Sequence, residues 1–293
     1  MRAIPQLVVS TVLLGGIYAL VAVGLTLIFG VMRVVNFAHG EFVMLGMYLA
    51  FWAFALLGLD PYLVLIVSLP IFFLTGWVSY RLVMRPVIHA SHNVQIFTTV
   101  GLSIVLQNVA LVLWTGDFRF VRPEYYGVVV RLGTTASNLS QIVAFGVAVA
   151  FTAALVVFMR WSYTGKVMRA TAQDRPAAAL MGIDTDRVYA LTWAIGIVCV
   201  GAGGVLLAPL YPVYPTVGLQ FVLIAFVVVV LGGLGDMAGA LLGSLIVAAV
   251  EVVGSYVIGT AWKEVLYLLL FIAILLLRPA GLFGQRGAEL LGT

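Results

Sequence analysis

Uncharged apolar stretches, each long enough to cross a lipid bilayer, recur along the whole chain and are separated by short polar connections. A hydrocarbon core needs about 20 apolar helical residues. On that measure the pattern predicts spans over about 4–31, 42–58, 62–80, 93–115, 139–159, 188–210, 219–234, 237–258 and 265–277. The seventh and eighth are short and share a glycine-rich junction, which points to broken or re-entrant helices. The apolar runs are continuous rather than alternating, which excludes a transmembrane barrel. The expected fold is all-α, one polytopic helical bundle of about eight to nine spans over residues 1–293. The first span exceeds a signal-peptide core of about 7–15 residues and no small-x-small site follows it, so it is expected to be retained.

Composition agrees. With 63% hydrophobic residues, 9% charged residues and a mean hydropathy of +1.18, a soluble core is excluded, because a soluble surface needs far more charge. Threading the spans places Arg33, Arg81, Arg85, Arg160, Lys166, Arg169, Arg175, Arg187, Arg278 and Arg286 on one side, ten of the fifteen basic residues. Arg2, Arg119, Arg122, Arg131 and Lys263 fall on the other, partly offset by Asp60, Asp117, Glu124 and Glu264. The positive-inside rule makes the first side cytoplasmic, with the N-terminus outside and the C-terminus inside. That asymmetry accounts for the net charge of +4 through lipid contact. No basic stripe with interleaved aromatics supports nucleic-acid binding. Cys199 is the single cysteine and sits in an apolar run, so neither a disulfide nor a cysteine metal cluster is available.

Residues 159–188 form the longest basic connection. Within it Pro176 suits a first helical turn, Ala177, Ala178 and Ala179 favour helix, and Gly182 suits a left-handed stop, which together predict one short helix outside the bilayer. Asp184, Thr185 and Asp186 supply cap candidates for the next span. Two readings stand: a positively charged topological loop, or a docking helix that fits a groove on a cytoplasmic partner.

The second interruption is Gly30-Val-Met-Arg33-Val-Val-Asn36-Phe-Ala-His39-Gly40-Glu41. Asn36, His39, Gly40 and Glu41 would be costly in hydrocarbon and must face protein, water or a partner. Asn36 is expected to cap the following helix. The segment reads either as a polar helix start near the cytoplasmic surface or as part of a permeation path or gate. Late in the chain Gly235, Gly239 and Gly243 are spaced by four; on one helix face they would admit a close neighbour. Asp236 at this break suits a helix cap or a polar cavity wall. Glu251 lies deep in an apolar run and requires a partner, within the bundle, at a subunit interface or on a substrate. His89 and His92 lack a third metal ligand nearby. Gly165-Lys166 lacks the upstream glycine of a phosphate-binding loop, and no G-x-S-x-G or H-E-x-x-H occurs.

The run Gly16-Ile-Tyr-Ala-Leu through Asn36-Phe-Ala-His39-Gly40-Glu41 resembles the N-terminal signature of the branched-chain amino-acid type ABC transporter permeases. Arg169-Ala-Thr-Ala-Gln-Asp174 through Gly182-Ile-Asp184-Thr-Asp-Arg187 is similar to their cytoplasmic loop. Leu231-Gly-Gly-Leu-Gly235-Asp236 through Gly243 and the terminal Leu277-Arg-Pro-Ala-Gly-Leu-Phe-Gly284 resemble their C-terminal half. The resemblance spans essentially the whole chain. It implies a binding-protein-dependent importer of the bacterial inner membrane, working by alternating access, in which the chain is a transport subunit and not an enzyme. The implied partners are a second homologous permease, two cytoplasmic ATPase subunits that bind ATP and Mg, and a periplasmic substrate-binding protein. This chain would hold no cofactor. Arg169, Asp174, Arg175, Gly182, Asp184 and Arg187 would form the ATPase-coupling loop, about 160–187, and Asn36, His39, Gly40, Glu41, Asp236 and Glu251 the substrate pathway or gate.

Many importer permeases carry Glu-Ala-Ala, three further residues and then glycine in that loop, and here that register gives Pro176-Ala-Ala-Ala-Leu-Met-Gly182, with Pro176 in place of the acidic member. Substrates in the family include branched-chain and other amino acids, urea and small amides. Two other classes remain open: an ion-coupled carrier or passive channel using a titratable Glu41 or Glu251, and a scaffold subunit without a pathway.

Overall fold

The computed structural model describes residues 3–278 and 281–283. Eleven α-helices account for most of it: α1 Ala3–Met32, α2 His39–Leu57, α3 Pro61–Ser79, α4 His92–Trp114, α5 Leu139–Trp161, α6 Tyr163–Gln173, α7 Arg175–Leu180, α8 Thr185–Leu207, α9 Val217–Gly232, α10 Met237–Val257 and α11 Lys263–Leu277. A π-helical turn, Tyr80–Met84, and a 3-10 turn, Arg85–Val87, extend α3. Among the described residues eight helical spans are long and apolar enough to cross a membrane, α11 counting together with the 3-10 turn Thr260–Trp262 that precedes it, and α9 is a shorter apolar helix. This is an all-α, multi-pass membrane protein.

α1 and α8 form the centre. Each is apolar around its whole circumference, and such a helix is stable only when neighbours surround it. α1 packs on α10, α8 and α5, while α8 packs on α3, α2 and α1. Glycines set how closely they approach. A Cβ on Gly24 would stand 2.6 Å from the Gly196 carbonyl oxygen, so only a residue without one admits this α1–α8 contact.

The basic connections gather at one end of the bundle. There Arg85 pairs with Asp186 at 3.1 Å, Arg175 meets the His89 ring, and Leu282 and Phe283 donate backbone hydrogen bonds to Leu231 and Gly232 at the end of α9. Arg2 and Arg286 lie outside the described residues, as do Pro279, Ala280 and Gly284 of the terminal signature. At the opposite end lies an antiparallel hairpin of β1 Val129–Leu132 and β2 Thr135–Asn138, which the apolar pattern does not predict. It is tied to α1 by Gln6, whose side chain both donates to and accepts from Ala136.

Two expectations are corrected. The 159–188 connection holds two helices, not one, because Ser162 caps α6 by accepting from Gly165 N at 2.8 Å before α7 begins. Gly235 lies ahead of α10 with φ +88°, so it is not on the helix face that carries Gly239 and Gly243. Those two do pack, against the Gly232 and Val228 carbonyls of α9.

Candidate functional site

α1 ends with Arg33 in the left-handed region (φ 59°), its amide bonded to Phe29 O. The chain then turns back into the bundle. Val21 lies eleven residues before Met32, about 16 Å along the helix at 1.5 Å per residue. His39 reaches that depth, since its Nε2 is 2.9 Å from Val21 O. A carbonyl only accepts, so Nε2 carries the proton and donates. α2 therefore starts inside the bundle, and its polar first turn is not at a surface, contrary to one of the two expectations for this segment. Asn36 does not occupy the N-cap, which is Ala38; Asn36 Oδ1 instead accepts from Ala38 N at 3.0 Å, closing the turn ahead of the helix.

α9 begins beside it. A Cβ on Gly40 would lie 2.1 Å from Gly218 O, and one on Gly218 would lie 2.8 Å from Glu41 Oε2. The first turns of α2 and α9 are thus side by side, neither closed by a side-chain cap. Helix N-termini carry partial positive charge, and Glu41 sits in the first turn of one and against the first turn of the other. Its Oε1 accepts from Ser103 Oγ at 3.1 Å and Gln107 Nε2 at 2.7 Å, both on α4. A carboxylate placed mid-membrane costs about 2.5–3.5 kcal/mol on insertion scales. Hydrogen bonds to a charged group contribute about 1.5–3 kcal/mol each, so the two donors and two helix ends offset it.

What the site leaves open is as informative. Asn36, His39 and Glu41 are completely buried, yet Asn36 Nδ2, His39 Nδ1 and Glu41 Oε2 have no partner, and Gln220 Nε2 in the first turn of α9 has none either. Buried polar atoms are nearly always satisfied. Here donors and acceptors accumulate around one helix junction.

Asp236 caps α10, its Oδ1 accepting from Gly239 N at 2.6 Å. Glu251 lies elsewhere, between α10, α1 and the base of α11. Tyr18 Oη donates to its Oε2 at 2.7 Å, and Lys263 Nζ is 3.6 Å from Oε1.

At the basic end, Asp174 Oδ1 accepts from Ala177 N and caps α7, and Asp184 Oδ1 accepts from Arg187 N and caps α8. Gly182 has φ +80°. Ile183 N bonds to Ala178 O and Gly182 N to Ala179 O, the two bonds of a Schellman stop. Arg169 is turned inward onto the Met159 and Arg160 carbonyls, neutralising the C-terminal end of α5. Arg175 binds the His89 ring, 3.2 Å from Nδ1, and lies over Tyr189. α7 is thereby fixed against α8, while Leu180 (89% exposed) and Met181 (82%) project from its end.

Ser103, Gln107, Tyr18, Lys263, Leu180 and Met181 are not singled out by the sequence pattern as read above. One signal is present in it: Gln95, Thr99, Ser103 and Gln107 repeat every four residues along one face of a mainly apolar helix, a polar stripe suited to face protein.

Residues 7–275 match the profile of a family described as the branched-chain amino acid transport system / permease component. The chain belongs to this family. It is 35% identical over 298 residues to the high-affinity branched-chain amino acid transport system permease protein LivH of Escherichia coli K12, covering 97% of this chain and 96% of the relative. It is 33% identical to BraD of Pseudomonas aeruginosa, a permease protein of the same description, covering 97% of each chain. A probable branched-chain amino acid transport permease LivH of Methanocaldococcus jannaschii is 26% identical, over 94% of this chain and 91% of the relative. No solved structure matches the chain significantly. The matched region includes Asn36-Phe-Ala-His39-Gly40-Glu41, the segment whose buried polar atoms lack partners.

Proposed function

We propose that this chain is the membrane-embedded permease subunit of an ATP-driven, binding-protein-dependent importer of branched-chain or other amino acids, working by alternating access. One observation carries the reading: two helices start inside the bundle with their first turns together, and unpartnered polar groups surround them. Discontinuous helices meeting at depth are how transporters present backbone charge to a zwitterion. The α2 and α9 N-termini with Asn36 Nδ2 suit the substrate carboxylate, and Glu41 Oε2 suits its ammonium group. The close Gly40–Gly218 contact excludes substrate in this arrangement, so loading requires α2 and α9 to part.

α7 is the element that transmits ATPase movement. Its exposed Leu180 and Met181 suit an apolar pocket on a cytoplasmic ATPase, and its docking on α8 leads through α2, which packs on both α8 and α9, to the helix junction. Two ATPase subunits would bind ATP and Mg, a second permease would complete the pathway, and a periplasmic binding protein would supply solute. In this reading the basic end is cytoplasmic, with the N-terminus outside and the C-terminus inside. Asp236 and Glu251 act at its edges, as a helix cap and an outer brace.

The test is ATP turnover by the assembled complex in nanodiscs. Binding protein loaded with leucine should stimulate turnover several-fold over empty binding protein. Equal turnover with and without ligand contradicts the reading.

A further inference from the structure

From Val188 to Leu207, α8 is fully buried except at Leu191, Ile195 and Val198, which lie on one face at spacings of four and three. Ile195 and Val198 of that face form the floor of a groove of about 570 Å³, walled by Leu69 and Phe73 of α3 and by Phe151 and Phe158 of α5. Toward the basic end the groove runs on into a cavity of about 330 Å³ through Phe73, Trp77, Leu191 and Arg187. It then opens into one of about 290 Å³ bounded by Trp77, Arg81, Arg187, Asp184 and Asp186. Phe73 lines the first and second, and Trp77 and Arg187 the second and third, so the three lie in a row along α3 and α8 as a stepwise channel.

The channel changes chemistry along its length. On α3 and its π-helical extension the sequence of side chains outward is Leu69, Phe73, Trp77, Arg81, at four-residue intervals, with the Arg81 guanidinium 5.3 Å from the Trp77 ring centroid. On α8 it is Val198, Ile195, Leu191, Arg187. Both walls grade from aliphatic side chains to a cation, with an interfacial aromatic between them on α3. Arg187 lies eleven residues from Val198, about 16 Å at 1.5 Å per residue. One leaflet of hydrocarbon is about 15 Å deep, half of the roughly 30 Å core.

Arg81 and Arg187 share the mouth with two carboxylates, Asp184 and Asp186, and Arg85 beside them leaves the cluster net positive by one charge, three arginines against two aspartates. Asp186 is engaged by Arg85 at 3.1 Å and by Tyr80 Oη at 2.9 Å, and Asp184 is engaged in capping α8. No ion pair among the described residues involves Arg81 or Arg187. We propose that this channel is a binding site for an anionic phospholipid, with one acyl chain lying along Leu191, Ile195 and Val198 and the phosphate between Arg81 and Arg187. Basic pockets between transmembrane helices bind anionic headgroups in this way. Two guanidiniums without an ion pair, at the end of an apolar lining about one leaflet deep, complement a phosphate carried on an acyl chain, and this charge match favours the lipid as occupant.

The experiment is native mass spectrometry of the assembled complex after exchange into equimolar phosphatidylglycerol and phosphatidylcholine of identical acyl chains. Wild type should retain phosphatidylglycerol about tenfold more often. Arg81→Gln with Arg187→Gln should erase that preference, the corresponding double Lys variant should keep it, and Ile195→Trp, which fills the floor, should reduce retention of both lipids. Equal retention by wild type, or an unchanged preference in the double Gln variant, overturns the proposal. So does disulfide capture of another subunit by Ile195→Cys in a Cys199→Ser background, which would show that protein covers the groove.

Discussion

Gly40 and Gly218 meet backbone to backbone, at a point where a single methyl group on Gly40 would lie 2.1 Å from the opposing carbonyl oxygen. This contact joins two helices that both begin in the interior, and it fixes the position of the unpartnered polar groups around them. Gly40→Ala should therefore lower the stability of the complex by about 1–3 kcal/mol, the usual cost of overpacking, and reduce uptake at least tenfold. Gly101→Ala, where nothing lies within 4 Å of the added carbon, is the control and should leave both unchanged. Thermal unfolding with parallel uptake assays checks the pair.

Glu41 is held on one oxygen by Ser103 and Gln107 and is open on the other. If the open oxygen receives the substrate ammonium group, Glu41→Gln should raise the KM for transport several-fold while leaving membrane abundance unchanged. Asn36→Leu should be worse, because it removes both the turn-closing acceptor for Ala38 N and the free donor. Uptake normalised to abundance decides the order, and the reverse order would favour an ion-coupled role for Glu41.

Tyr18 and Glu251 are 233 positions apart and share a 2.7 Å hydrogen bond. Tyr18→Phe leaves a buried carboxylate oxygen without its donor, so stability should fall by about 1.5–3 kcal/mol. Glu251→Gln, which keeps an acceptor for Tyr18, should cost less. Chemical unfolding of the purified complex measures both.

These contacts mark the limit of what the linear pattern reveals. The spans are legible because a run of about 20 uncharged apolar residues is seldom stable outside a bilayer, and Pro176, the three alanines and Gly182 announce α7 through first-turn, propensity and stop chemistry, while its Asp174 cap emerges from the structure. α6 is hidden because Tyr163–Gln173 is polar and reads as a loop; its Ser162 cap is the local sign of it. The apolar pattern starts α2 three residues late, since His39, Gly40 and Glu41 look like surface residues until the returning chain buries them against α1, α4 and α9. Partners such as Tyr18 for Glu251 arise from helix packing alone, and no local spacing encodes them.

Gly182→Val should leave membrane insertion and expression nearly intact while abolishing ligand-stimulated ATP turnover. A β-branched residue at φ +80° is strongly disfavoured, and losing the left-handed stop would misdirect Leu180 and Met181. Co-purification of the ATPase, paired with turnover in the presence of loaded binding protein, checks this. Leu180→Glu with Met181→Glu should show the same loss without backbone strain.

ATP-driven import is decided by uptake of radiolabelled leucine into proteoliposomes containing the permease pair and ATPase, with binding protein outside. Accumulation should require ATP on the ATPase side and should persist when a protonophore collapses any proton gradient. Uptake without ATP, or uptake abolished by the protonophore while ATP is present, would contradict it and assign the chain to an ion-coupled carrier or a passive channel.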